Sequence, residues 1–189
     1  MNPGLLLVLV AGAGLIAYAL FGTSAGQADS EEAVSDLEAA VSGWQNVNEG
    51  PTWVPVINQT ETSLGIPANL LARMAFQESS FLPAVITGEQ PSSAGALGIL
   101  QLMPQYFSTV DVPVPFSTAD TTAQITQAGQ QLVALYNQFH DWGIAVAAYN
   151  AGAGTIENVL AGTTTMPTET SNYVAAILGD VPVPSQLTA

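Results

Sequence analysis

The chain has 189 residues, no cysteine, 48% hydrophobic residues and a formal net charge of -14, set by fifteen Asp or Glu against a single Lys or Arg, which is Arg73. Without cysteine there is no disulfide framework and no thiolate nucleophile or metal ligand, and the lone His140 cannot build a metal cluster, so chemistry without metal or cofactor is expected. One strong cation cannot neutralise a phosphate backbone, which excludes nucleic-acid binding, and the length fits one compact domain with an appendage.

From Gly4 to Gly22 the chain runs nineteen residues without a charge. At a rise of ~1.5 Å per residue a helix of that length nearly spans a ~30 Å hydrocarbon core, so residues 1-22 are read as a transmembrane anchor. A cleaved signal peptide is the rival reading, but no basic residue precedes the run and the run exceeds the usual apolar core of such signals. Thr23 to Gly50 then holds six of the fifteen acids, Asp29, Glu31, Glu32, Asp36, Glu38 and Glu49. This is read as an acidic linker, with Val34, Leu37 and Val41 at the spacing of a short amphipathic helix.

A folded domain is expected over 51-180. Pro51, Trp53 and Pro55 lead into a helix with Val56 and Ile57 inward, and Pro67 sits where a first helical turn tolerates it, opening the next helix. There Leu70, Met74 and Glu78 recur every four residues and share one face. Glu78 therefore looks inward, where loss of water disfavours its charged form and raises its pKa toward the range of a general acid. Arg73 falls between the core faces and is expected to pair with a surface carboxylate or with backbone carbonyls. The loop Leu82 to Ala94, rich in Pro, Gly and Ser, carries a second acid, Glu89. Downstream, SSAGALGILQLMP (Ser92 to Pro104) is punctuated by Gly95 and Gly98, which permit close backbone approach, ahead of Gln101, Met103 and Pro104.

After a proline-broken connection, Ile125, Ala128, Leu132, Leu135 and Phe139 make a seven-residue apolar repeat over Asp120 to Phe139, read as a core helix, with His140 at its cation-favouring end. Ala145, Ala147 and Ala148 let the next helix approach its neighbours closely and carry Tyr149 inward, where a phenol needs a hydroxyl partner. Gly152 and Gly154 break the chain, Pro167 precedes a last helix with Tyr173, Val174, Ile177 and Leu178, and residues 181-189 read as an extended tail.

Four elements in this order, the Glu-Ser pair of Glu78 and Ser79, SSAGALGILQLMP, AYNAG at Ala148 to Gly152, and TETSNYV with Glu169 and Tyr173, resemble the soluble lytic transglycosylase (SLT) family of lysozyme-like enzymes. The resemblance covers roughly Pro51 to Leu178. It implies a mainly α, lysozyme-like (goose-type) helical domain, here preceded by one transmembrane helix. By position it makes Glu78 the catalytic acid, with Tyr149 beside it, its hydroxyl meeting the catalytic carboxyl or the sugar. Ser92, Gln101, Met103, Asn150, Glu169 and Tyr173 become substrate-binding positions, Glu169 also orienting groups near Glu78. Leu97, Ile99 and Leu100, and a longer interval between Glu78 and Ser92, depart from the family pattern and bear on substrate preference.

The implied activity is non-hydrolytic cleavage of peptidoglycan glycan strands, leaving 1,6-anhydro ends. The catalytic domain would then lie outside the cytoplasm, in a bacterial envelope or on a membrane-containing phage virion. A hydrolytic muramidase on the same fold and a catalytically silent wall-binding module are the competing classes.

Overall fold

The computed structural model describes residues 4-8, 17-21, 43-107 and 113-188. The chain divides into two units, Met1-Gly43 and Trp44-Ala189. In the first, β1 (Gly4-Val8) and β2 (Ala17-Phe21) pair antiparallel, with Gly4 opposite Phe21 and Val8 opposite Ala17. This corrects the expected transmembrane helix: among the described residues no helix is long and apolar enough to cross a membrane. A continuously apolar run has no periodicity by which helix and strand can be told apart, and Gly12 and Gly14 each lower helix propensity by about 1 kcal/mol relative to alanine. The amphipathic helix expected around Val34 to Val41, and the acidic linker up to residue 42, lie outside the described residues.

The second unit is built from helices. α1 (Gly50-Leu64) starts with Pro51 in its first turn, contains Pro55, and stops at Gly65, whose φ of 69° is the left-handed conformation that suits glycine at a helix end. The helix thus begins ahead of Pro55, with Trp53, Val54 and Ile57 buried and Val56 partly so. Folded structure also begins earlier than the expected boundary at Pro51: Trp44 packs on Phe76, ring centroids 6.1 Å apart. The Asn48 amide donates to the Ser80 carbonyl at 2.8 Å, and the Glu49 N-H to that of Phe81 at 3.1 Å.

α2 (Leu70-Ser79) opens three residues beyond Pro67, and Leu70, Leu71, Met74 and Ala75 are fully buried along it. Its N-terminus is capped from α1. Glu61, 2% exposed, accepts the N-H groups of Asn69 at 2.7 Å and Ala72 at 2.9 Å, donors that a helix start leaves without internal partners. α2 ends abruptly, with Ser80 and Phe81 both left-handed at φ 48° and 52°, a costly conformation for non-glycine residues. A short α3 (Pro83-Ile86) and the glycine-rich loop follow.

α4 (Thr118-Phe139) begins with a reciprocal cap: the Asp120 N-H donates to Ser117 Oγ and the Ser117 N-H to Asp120 Oδ2. Ile125, Ala128 and Leu132 are buried, and Leu135 and Phe139 pack at the core margin. α5 (Trp142-Ala151) is the central helix, buried from Gly143 to Ala148 and packed on α4, α6 (Ala153-Leu160) and α7 (Thr168-Asp180). α7 also packs on α2, which brings the last helix of the domain to the helix bearing Glu78. The C-terminal residues are not simply extended. Val181 and Val183 join the core, Gln186-Thr188 forms a 3-10 turn, and the Gln186 N-H donates to Asp141 Oδ2 at 2.8 Å. Burial pushes the Asp141 carboxyl up, but donors including the N-H groups of Gln186 and Ile144 outweigh it and hold the group below its ordinary range.

Candidate active site

Glu78 stands in the last turn of α2, partly exposed at the end of a buried stripe. The Tyr173 hydroxyl of α7 donates to its Oε1 at 2.7 Å. Burial is the largest influence on this carboxyl and pushes it up, the phenol's donation pulls it back, and the charge of Glu169 pushes it up again, leaving it at about 7. A carboxyl that titrates there is poised to give a proton and take one back near neutral pH.

The two tyrosines take different partners. Tyr149, expected to meet the catalytic carboxyl or the sugar, donates instead to the Leu100 carbonyl at 2.8 Å, in the glycine-rich loop. Tyr173, expected to line the cleft, is the direct partner of Glu78. Helical spacing shows that both face inward but not which acceptor each reaches. Both phenols are pushed well up by burial and by the charge of Glu78, so Tyr149 lies in the same electrostatic neighbourhood while bonding elsewhere.

The glycine-rich loop is a folded object. Ser92 Oγ accepts the Ala96 N-H at 3.0 Å, Leu97 and Leu102 bridge, and Gln101, left-handed at φ 44°, donates its side-chain amide to the Gly98 carbonyl at 2.8 Å. Gln124, on the buried face of α4 and 2% exposed, was not foreseen. Its amide donates to the Leu97 carbonyl at 3.0 Å and accepts the Leu100 N-H at 3.4 Å. Gly98 takes φ 79°, and a Cβ there would collide with that amide, so only glycine fits. The available signal was its place in line with Thr121, Ile125, Ala128 and Leu132 on the inward face of a helix with many other polar residues.

Of the other expected positions, Asn150 Oδ1 accepts the Thr170 hydroxyl at 2.7 Å, tying the end of α5 to the first turn of α7. Glu169 is exposed in that turn, and Met103, partly buried, precedes the 3-10 turn Pro104-Tyr106. Glu89 is exposed and accepts from the Thr87 hydroxyl at 2.7 Å within its own loop. Among the described residues no three His, Cys, Asp or Glu side chains gather where they could hold a metal ion. A groove of about 470 Å³ lined by Met166, Val174, Leu178 and Leu187 lies along another face of α7 and includes none of the expected site residues.

A helical domain that presents one half-buried carboxyl, raised toward neutrality and held by a buried phenol beside a glycine-shaped loop, has the equipment for acid-base cleavage of a glycan. Residues 55-172 match the family model described as Transglycosylase SLT domain, and the chain belongs to that family. At family level the activity is of the lytic transglycosylase type, directed at peptidoglycan.

Proposed function

We propose that this protein cleaves the MurNAc-GlcNAc β-1,4 bond without water, leaving 1,6-anhydro-MurNAc ends. The observation that supports it is the Glu78 carboxyl, raised to about 7 and still reachable from solvent. Protonated, it gives its proton to the glycosidic oxygen as the C1-O4 bond breaks, while the substrate's own N-acetyl oxygen bonds to C1. The resulting carboxylate then takes the proton of the muramoyl 6-hydroxyl as O6 bonds to C1 and the acetamido oxygen leaves, returning Glu78 to its acid form. The Tyr173 hydroxyl, donating to the carboxylate, steadies it between these steps. Gln101, Met103 and Ser92 on the loop, with Asn150 and Glu169, would form the walls against the sugars.

One observation favours a second reading. Glu169 lies close enough to raise Glu78, and a hydrolytic muramidase would need such a second carboxylate to direct water. The products of digested sacculi decide: anhydro ends are lighter than reducing ends by one water. Glu78→Gln should lower turnover by roughly a hundred- to ten-thousandfold, the contribution of a positioned proton donor. Near-wild-type turnover of this variant would overturn both readings, whereas a wild type that binds sacculi without turning them over would favour a silent wall-binding module. Peptidoglycan as substrate also leads us to place the domain outside the cytoplasm, in an envelope or on a virion. Fractionation of the native protein with cytoplasmic markers would contradict that location.

A further inference from the structure

The chain's only Arg lies inside the fold. Arg73 is 6% exposed. Its Nε donates to Asp180 Oδ2 at 2.6 Å, Nη1 to Gln77 Oε1 at 3.1 Å and Nη2 to the Ala176 carbonyl at 3.1 Å, with the guanidinium 5.2 Å from the centroid of the Phe76 ring. Two of these acceptors belong to α7. Ala176 and Asp180 follow Tyr173 by three and seven residues, the spacing of a single helix face.

We propose that Arg73 is a positioning residue for the reaction: by fastening α7 to α2 along the face that carries Tyr173, it fixes how the Tyr173 hydroxyl meets Glu78. The inference rests on the reading of Glu78 as the catalytic acid. An ion pair with one end buried and the other exposed is a poor source of stability compared with apolar packing, but a planar guanidinium with donors in three fixed directions sets the register of two helices as a lysine ammonium cannot. Its charge also reaches Tyr173, where it favours the ionised phenol against burial and Glu78. Glu78 itself faces Tyr173 and Glu169 from α7 and the nearby Tyr149 from α5, and Arg73 acts on it through Tyr173. Glu61 of α1 is engaged at the opposite end of α2.

The test uses the full chain and three variants, Arg73→Lys, Tyr173→Phe and the double substitution. Two quantities are followed: the Glu78 carboxyl titration by ¹³C NMR, and kcat on sacculi against pH. Because the phenol's donation lowers the Glu78 pKa, a misplaced hydroxyl should move the midpoint upward, by roughly half a pH unit or more, and lower kcat severalfold at nearly unchanged KM. The double variant should match Tyr173→Phe alone, since Arg73 has nothing left to position. A folded Arg73→Lys with the wild-type midpoint and kcat, or effects that add in the double variant, would overturn the proposal. Should Arg73→Lys not fold, Asp180→Asn alters the pair at its exposed end, 48% of the side chain being accessible, and an unmoved Glu78 midpoint there is equally decisive. The NMR titration needs no turnover, so absence of anhydro products would count against the proposed reaction and leave this comparison standing.

Discussion

A glutamate withdrawn from water stands at each end of α2, Glu61 reaching in from α1 and Glu78 in the helix itself, and the two do opposite things. At the N-terminus Glu61 is sealed, its two oxygens taken by the Asn69 and Ala72 N-H groups. At the C-terminus Glu78 has one phenol as partner and remains partly open. Burial raises both carboxyls, yet only the second retains an oxygen that a substrate could reach. A raised pKa alone therefore does not mark an acid catalyst; an unfilled hydrogen-bonding direction at the surface does.

The largest expected effect on stability is at the open end. Glu78 has a folded-state pKa of about 7 against an ordinary 4.5, so between those values the unfolded chain ionises while the folded chain keeps its proton. Folded stability therefore falls as pH rises through this window, by up to about 3 kcal/mol and less where solvent screens the exposed edge of the carboxyl. Glu78→Gln removes this contribution. Its Tm advantage over the wild type should be small near pH 4, grow toward pH 7 and level off above; a constant difference across that range would show that Glu78 is not strained by its charge.

At the sealed end, Glu61→Ala leaves two helix-start N-H groups without an acceptor and should cost about 2 kcal/mol in denaturant unfolding. Turnover per folded molecule should stay within a few-fold of wild type. If catalysis collapsed well below the variant's Tm, the division between a structural and a chemical glutamate would break down.

The smallest effect is expected from Tyr149→Phe. Its hydroxyl holds the Leu100 carbonyl and not the acid, so the loss should appear as a severalfold rise in KM at nearly constant kcat, about 1 kcal/mol for one hydrogen bond. A hundredfold fall in kcat would put Tyr149 in the chemistry beside Tyr173.

Much of this arrangement can be read along α2, because a period of four survives translation into structure: Leu70 and Met74 are buried and Glu78 ends their stripe. What the sequence conceals is pairing across the fold. Glu61, within NQTETSL, looks like one more surface acid until α1 is laid against the start of α2. Gln124 looks like solvent-facing polarity until Gly98 comes against it. Arg73 is an instructive middle case. Its scarcity as a cation pointed to a carboxylate or carbonyl partner, and it holds both, though the helix supplying them could not be named from spacing. Gly4-Val8 and Ala17-Phe21, strands where a helix was expected, were illegible for the opposite reason, an uncharged and almost wholly apolar run recording no period.

The burial of Arg73 has a practical corollary. Trypsin cuts after lysine or arginine, so this chain offers it one bond, Arg73-Met74, in the middle of α2 and in the domain's interior. The folded protein should resist the protease almost entirely. Cleavage, when it comes, would yield only two pieces, residues 1-73 and 74-189, and its rate would report how often the helix that carries Glu78 opens.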